Sequence, residues 1–284
     1  MAKDELTIGV HVSASGSLDL AVDRAVELGC GVFQMFTRNP QGWRFGPIKE
    51  EVANLFREKM KKSEIRMAVS HMPYLPNLAT PDPLIFEKSQ EALTEELRRA
   101  SVLDLSGVVV HLGSHLGKGI SYGQGRVASA IAQAYLATGS KVPLLLENTA
   151  GQKNSVGSGF DDLRKILDLA GGSGEVGICL DLCHAYASGY DLTTVDAVEE
   201  TLSKFDSSVG LKALKLIHLN DSKKGLGCHV DRHENIGKGY IGSAGFRAFL
   251  HNPKVRHLPM VLETPVAEAG DWGKDLAVVR KLFK

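Results

Sequence analysis

Three consecutive segments, VPLLLEN (142–148), FDDLRKILDLAG (160–171) and VGICLDL (176–182), decide how this chain folds. The first and third are continuously apolar and do not alternate. That is the pattern of strands covered on both faces, as in a parallel sheet. The middle segment repeats its apolar residues every three to four positions and ends at Gly171, the pattern of a helix lying on such a sheet.

The same two textures recur outward in both directions. LTIGVHV (6–12), GVFQMF (31–36), RMAVSH (66–71) and GVVVHLG (107–113) come before, and LKLIHLN (214–220) and HLPMVLE (257–263) follow. Helical patterns separate them: LDLAVDRAVELG, KEEVANLFREKMKKS, DPLIFEKSQEALTEELRRASVLD and GRVASAIAQAYLATG, then VDAVEETLSKF and a last GKDLAVVRKLF. Strand and helix alternating eight times over roughly 250 residues predict a closed (β/α)₈ TIM barrel. A doubly wound open sheet competes, but such sheets rarely need eight regular repeats. No long linker, low-complexity tract or composition shift interrupts the series, so residues 1–284 are expected to form one barrel domain.

Composition narrows the class. Hydrophobic residues make up 43% and charged residues 23%, ordinary for a globular protein with a full core. Lys+Arg and Asp+Glu both number 33, and a zero balance argues weakly against a polyanion partner unless a basic patch is local. The opening MAKDELTIGVHVSASG has no signal-peptide pattern, and no segment approaches the roughly 20 apolar residues of a membrane span. Cys30, Cys179, Cys183 and Cys228 are few and irregularly spaced, which suggests reduced thiols in the cytoplasm.

In a barrel the catalytic groups sit at the carboxyl ends of the strands. Read to their ends, the runs give His11, His71, His111, Glu147, Asp181 with His184, His218 and Glu263, and the loop DSKKGLGCHVDRHENIGKGYIG (221–242) adds Asp231 and His233. Any one of these has a dull explanation as a solvated loop group. Seven of eight strands ending alike do not. With His11 set aside as structural, five imidazoles and four carboxylates remain. One tetrahedral metal takes three or four protein ligands, so nine suit two or three metals. Imidazole-rich mixed ligation favours zinc over magnesium.

GICLDLCHAYASGYD (177–191), LIHLNDSK (216–223) and DRHENIGKG (231–239) closely resemble the three signature segments of the endonuclease IV family of apurinic/apyrimidinic DNA repair nucleases. GVHVSASGSLDLAV and HMPYLPNLA (71–79) are similar to that family too, and the resemblance spans nearly the whole chain. It implies a TIM barrel with three Zn²⁺ per chain. His71, His111 and Glu147 would hold the first ion, with Glu147 bridging to the second. Asp181, His218 and Glu263 would complete the second, and His184, Asp231 and His233 would hold the third. Glu147 and Glu263 would be catalytic, and Cys183 a packed bystander. The implied reaction hydrolyses the phosphodiester 5′ to an abasic site, leaving a 3′-hydroxyl and a 5′-deoxyribose phosphate, and also trims blocked 3′ ends.

The implied partner is double-stranded DNA containing abasic sites, bound by a monomer. A local patch must then supply the positive charge. Arg38, Arg44, Lys223, Lys224, Arg232 and Lys238 all fall in loops at the expected active face. Tyr74 resembles the family's wedge residue at the abasic gap. FTRNPQGW (36–43) resembles its other probing loop, although Gln41 stands where an Arg is common. Cys228-His229 is a second departure, and His229 is not expected to be a ligand. The rival readings are a two-metal sugar isomerase, which has no use for the His184, Asp231 and His233 trio, and a non-catalytic binding protein, which has no use for nine ligands.

Overall fold

The computed structural model describes residues 6–171, 175–266 and 273–284. The signal-peptide reading of residues 1–5 lies outside the described residues. All eight apolar runs form strands: β1 (Ile8–Val10), β2 (Val32–Met35), β3 (Met67–His71), β4 (Gly107–His111), β5 (Leu144–Glu147), β6 (Val176–Asp181) and β7 (Leu214–His218). After a small antiparallel ladder of β8 (Asp221–Ser222) and β9 (His233–Glu234), β10 (Met260–Leu262) is the eighth. The eight pair in parallel in the order β1-β10-β7-β6-β5-β4-β3-β2. The seam between β1 and β2 is joined where Gly31 N donates to Ile8 O (2.9 Å) and Val12 N to Gln34 O (2.8 Å). The two strands run so close there that a Cβ at Gly9 would lie 1.5 Å from the Val32 carbonyl oxygen.

Around the strands lie α1 (Leu20–Glu27), α2 (Glu50–Lys62), α3 (Pro83–Leu103), α4 (Ile120–Thr138), α5 (Phe160–Ala170), α6 (Leu182–Ala187), α7 (Val195–Ser208), α8 (Gly242–His251) and α9 (Gly273–Phe283). Asp82 caps α3, accepting from the Leu84 and Ile85 amides, with Pro83 in the first turn. The structure departs from the sequence pattern at α4, which begins at Ile120. It also departs at α6, too short to show a period, and at α8, whose GSAG opening hides its apolar face. Among the described residues no helix is long and apolar enough to cross a membrane.

The continuous apolar runs follow from burial on both faces. Leu144 and Leu146 face the helical layer, while Leu145 points into the barrel with Val32, Val69, Val109, Cys179, Leu216 and Val261. Those seven residues come from seven strands; on β1 the equivalent place is Gly9. Because side chains alternate, the residue two places further on shares the same face. Two places further on stand His11, Gln34, His71, His111, Glu147, Asp181, His218 and Glu263. The polar ring is therefore the next layer of the barrel interior, set on top of an apolar plug. Register alone puts eight polar side chains in one place.

Candidate metal centre

Among the described residues four sets of ligand atoms converge in this layer, each within 4.8 Å of one another. One joins Cys183 to Asp181 and His233. The other three are built from His, Asp and Glu alone: His71 with His111 and Glu147; Glu147 with Asp181, His218 and Glu263; and His184 with Asp231 and His233. Glu147 belongs to two of them. It is fully buried, with Oε2 3.1 Å from His71 Nε2 and 3.5 Å from His111 Nε2, and Oε1 3.1 Å from His218 Nδ1. The strands supply the first two sets. In the third, Asp181 ends β6 and caps α6 by accepting from His184 N (2.7 Å), which turns the His184 ring inward from a helix and not from the strand. Asp231 and His233 arrive from the long loop after β7.

The hydrogen bonds fix which imidazole nitrogens carry lone pairs. His71 Nδ1 lies 2.7 Å from Met72 O, His184 Nδ1 2.9 Å from Asn148 O, and His233 Nδ1 3.3 Å from Glu263 O. A carbonyl can only accept, so each Nδ1 is the donor and each Nε2 is left as an acceptor when the ring is neutral. His218 is the mirror case: Nε2 donates to Gln34 Oε1 (2.9 Å), and Nδ1 faces Glu147 and, at 3.2 Å, Glu263 Oε2. Every one of these acceptor nitrogens points at a carboxylate. Buried lone pairs facing buried carboxylates need a cation between them, either a proton or a metal ion. His184 Nε2 and His233 Nε2 sit 3.2 and 3.4 Å from Asp231 Oδ1, yet both are buried without any hydrogen bond. That is the geometry of ligands around an ion, and the residues fit divalent metal.

The acid–base state of the metal-free ring agrees. Burial opposes the charge on Glu147 and Glu263, but His111 and His218 hold the first, and His218 and His11 the second, well below the usual carboxylate range. Burial opposes protonation of His184, yet Asp181, Asp231 and Glu147 outweigh it and raise the ring to about 10. His218 is likewise raised against the pull of burial. At His184 and His218 the carboxylates thus favour a positive charge where a metal ion would sit, while burial lowers the pKa of His111.

Four residues that a search for His, Asp and Glu at strand ends passes over hold the ring in place. Gln34, fully buried on β2, donates to Glu263 Oε1 (2.6 Å) and lies 3.0 Å from His11 Nδ1, so it ties three ring members together. His11 thus belongs to the ring as a hydrogen-bonding partner. Asn220 donates to Asp181 Oδ2 (2.7 Å) and accepts from Glu263 N (2.8 Å). Asn148 exchanges two bonds with the backbone of Asp181. Asp221 folds the long loop: Oδ2 accepts from Gly237 N and Gly239 N (both 2.9 Å), and Oδ1 from Ser222 N (2.8 Å) and Ile241 N (3.0 Å). Gly239 must be glycine there, since a Cβ would lie 2.5 Å from that carboxylate. The signal for Gln34 is a lone polar residue inside an apolar run.

Tyr74 is exposed, as are Gln41, Arg44, Lys223, Lys224, Arg232 and Lys238. Arg38 differs from these in accessibility. Its side chain is 4% exposed and turned inward, with Nε 3.8 Å from Glu96 Oε2 and NH1 donating to Gly42 O (2.7 Å). The guanidinium secures the 37–46 loop from inside, and Arg38 also lines the cleft beside Glu263. Cys183 lies near Asp181 and His233, but its thiol points to Arg232 O (3.6 Å) and burial pushes its pKa up. His229 is exposed and packs its ring on Gly151, away from all three sets. Beside Glu263 a cleft of about 710 Å³ opens between the β1 and β2 loops, lined by His11, Ser13, Phe36, Asn39 and Thr264.

A parallel barrel with a ligand ring at its carboxyl rim defines a class, and residues 22–282 match the family model described as the xylose isomerase-like TIM barrel. Within it, the chain is 49% identical to a probable endonuclease 4 of Methanoculleus marisnigri over 276 residues, 97% of this chain and 98% of that protein. It is 46% identical to that of Nitrosopumilus maritimus over 278 residues, covering 97% and 98% of the two chains. The crystal structure of endonuclease IV from Thermus thermophilus superposes with a TM-score of 0.86 at 34% identity, over 97% of this chain and 98% of that one. The chain belongs to the endonuclease IV family and is an enzyme of that nuclease kind. A D-tagatose 3-epimerase-like protein, 20% identical with a TM-score of 0.71 over 96% of each chain, shares the fold.

Proposed function

We propose that this protein is a zinc-dependent DNA repair endonuclease that hydrolyses the phosphodiester 5′ to an abasic site, leaving a 3′-hydroxyl and a 5′-deoxyribose phosphate, and that trims blocked 3′ ends. The observation that carries the reading is the set of imidazole lone pairs aimed at carboxylates in three groups. His71, His111 and Glu147 would hold one Zn²⁺; Glu147, Asp181, His218 and Glu263 a second; and His184, Asp231 and His233 a third. Five imidazoles among nine ligands favour zinc. The third group also weighs against sugar isomerisation, for which two ions suffice.

Bound ions there would neutralise phosphate charge and bring the pKa of a water toward neutrality. The chain's own residues do the rest. Glu263 stands where the ring meets the cleft, mostly buried but reaching the cleft surface, with Oε1 held by Gln34. It orients the attacking water by accepting its hydrogen. Glu147, buried beneath, fixes the spacing of the first two groups. Lys223, Arg232 and Gln41 meet the backbone of the duplex, and Tyr74 occupies the space of the missing base. Because all nine ligands lie on one chain and in one barrel domain, a monomer suffices.

Mapping the cleaved end tests this directly. An end-labelled duplex with one abasic site should be cut once, on the 5′ side, to a fragment that a polymerase extends, while the intact duplex is spared. Cutting on the 3′ side, or a 3′-phosphate product, would refute the proposal.

A further inference from the structure

Leu116 is placed at a cost that stability does not explain. It sits in the β4–α4 loop, five residues beyond His111, with φ at +47° and its side chain 59% exposed. A left-handed backbone strains any residue with a Cβ, and an exposed leucine gains nothing in a free protein. Glycines already serve the same turn at Gly113, Gly117 and Gly119, all at positive φ. Position 116 is the exception.

The loop is also held firmly. His115 Nδ1 accepts from Gly117 N (3.2 Å) and Gly119 N (3.0 Å), which ties the backbone just after the strained residue back to the side chain just before it. His115 N donates to Asn154 O (2.9 Å), joining the loop to the one after β5. On the other side Asn77 staples it to the loop after β3: Oδ1 accepts from Ser114 N (2.9 Å) and Nδ2 donates to Ser114 O (3.0 Å). Gly113 must be bare there, because a Cβ would lie 2.2 Å from Asn77 Oδ1. The loop after β3 is the one that carries Tyr74, 64% exposed, and Leu75. Two rigid, stapled loops on the active rim thus each present an apolar side chain to solvent.

We propose that Leu116 is a second apolar probe of the duplex, inserted from its own loop where the missing base leaves neighbouring base pairs unsupported. This rests on the reading of the enzyme as acting at abasic sites. Apolar wedges at base steps are a general means of holding a kinked duplex, and an abasic step is easily unstacked. Strain in the free protein is compatible with such a role, since selection for the bound state keeps a side chain that the free state does not need.

Leu116→Gly separates function from fold, because glycine relieves the backbone and removes the side chain together. The probe is a duplex carrying an abasic analogue whose scissile 3′ oxygen is replaced by methylene, compared with the matching intact duplex. The loaded protein is titrated onto each, with 2-aminopurine beside the gap reporting unstacking. We expect the preference for the abasic duplex to fall about tenfold. The 2-aminopurine signal should fall with it. The salt dependence should stay unchanged, because no phosphate contact is lost. The melting midpoint should hold or rise by about 2 °C, and Leu116→Met should restore the preference. A wild-type preference in Leu116→Gly, with Tyr74→Ala losing it, would overturn the proposal and leave the enzyme's function standing. A lower melting midpoint would make Leu116 a packing residue and overturn it too. If the unmodified protein itself shows no preference, the functional reading falls first.

Discussion

Replacing Asp221 by asparagine exchanges one buried oxygen for an NH₂ group and leaves the side chain's shape intact. The Asp221 carboxylate accepts four backbone N–H bonds at 2.8 to 3.0 Å, two on each oxygen. Asparagine can serve only one pair, and its NH₂ then faces the other two donors. Two bonds are lost and two buried amides left unpaired, which we put at about 3 kcal/mol. The loss falls on the loop that delivers Asp231 and His233, not on the strands. Amides of Gly237, Gly239 and Ile241 should therefore exchange roughly 100-fold faster. The ion proposed for His184, Asp231 and His233 should bind correspondingly more weakly, while those proposed for the two strand-borne sets should be kept. Native mass spectrometry on the intact holoenzyme, run beside hydrogen exchange, reads both effects. A variant that retains every ion and exchanges those amides at the wild-type rate would refute the reasoning.

Glu263→Gln keeps the bond to Gln34 but removes the charge, so turnover on an abasic duplex should fall by about two orders of magnitude or more, roughly 3 kcal/mol. DNA binding should survive, with metal binding weakened only modestly. His251→Gln, remote on α8 and stacked on Phe283, is its silent control, and near wild-type turnover in the Glu263 variant would remove that carboxylate from the mechanism. Tyr74→Ala should lower the preference for abasic over intact duplex with metal content unchanged; an unaltered preference assigns recognition elsewhere. In metal-free protein the raised pKa of His184 means its pairing stabilises fully below its ordinary 6.5 and is lost as pH rises through about 10. The melting midpoint of chelated protein should therefore decline over that interval, and a flat profile would show that His184 is not paired as described.

The strands were legible because both their faces are buried, which leaves an uninterrupted apolar run and a clean end where the polar ring begins. Residues such as His71 and Glu147 announce themselves by charge and position. Gln34, Asn148 and Asn220 carry no charge and titrate nowhere. Gln34 shows only as a polar residue inside an apolar run, and the two asparagines, outside the strands, are tied to the ring by hydrogen bonds that no sequence pattern announces. Asp221 was visible as an acid but not as a clamp, because its four donors come from a loop with no periodicity. Arg38 shows the opposite limit: its place on an active-face loop could be read, but its direction is set by Glu96. That acid occupies a buried position of α3 between Leu93 and Leu97, and an acid on an apolar helix face was the available signal.

Zinc titration of the metal-free protein, followed by cleavage of an end-labelled abasic duplex at each step, tests the central claim most directly. The account predicts little cleavage at one equivalent per chain and full activity only as the third is added, with a single product cut 5′ to the abasic site. Full activity with fewer than three bound ions, or no abasic-site cleavage at three, would contradict it.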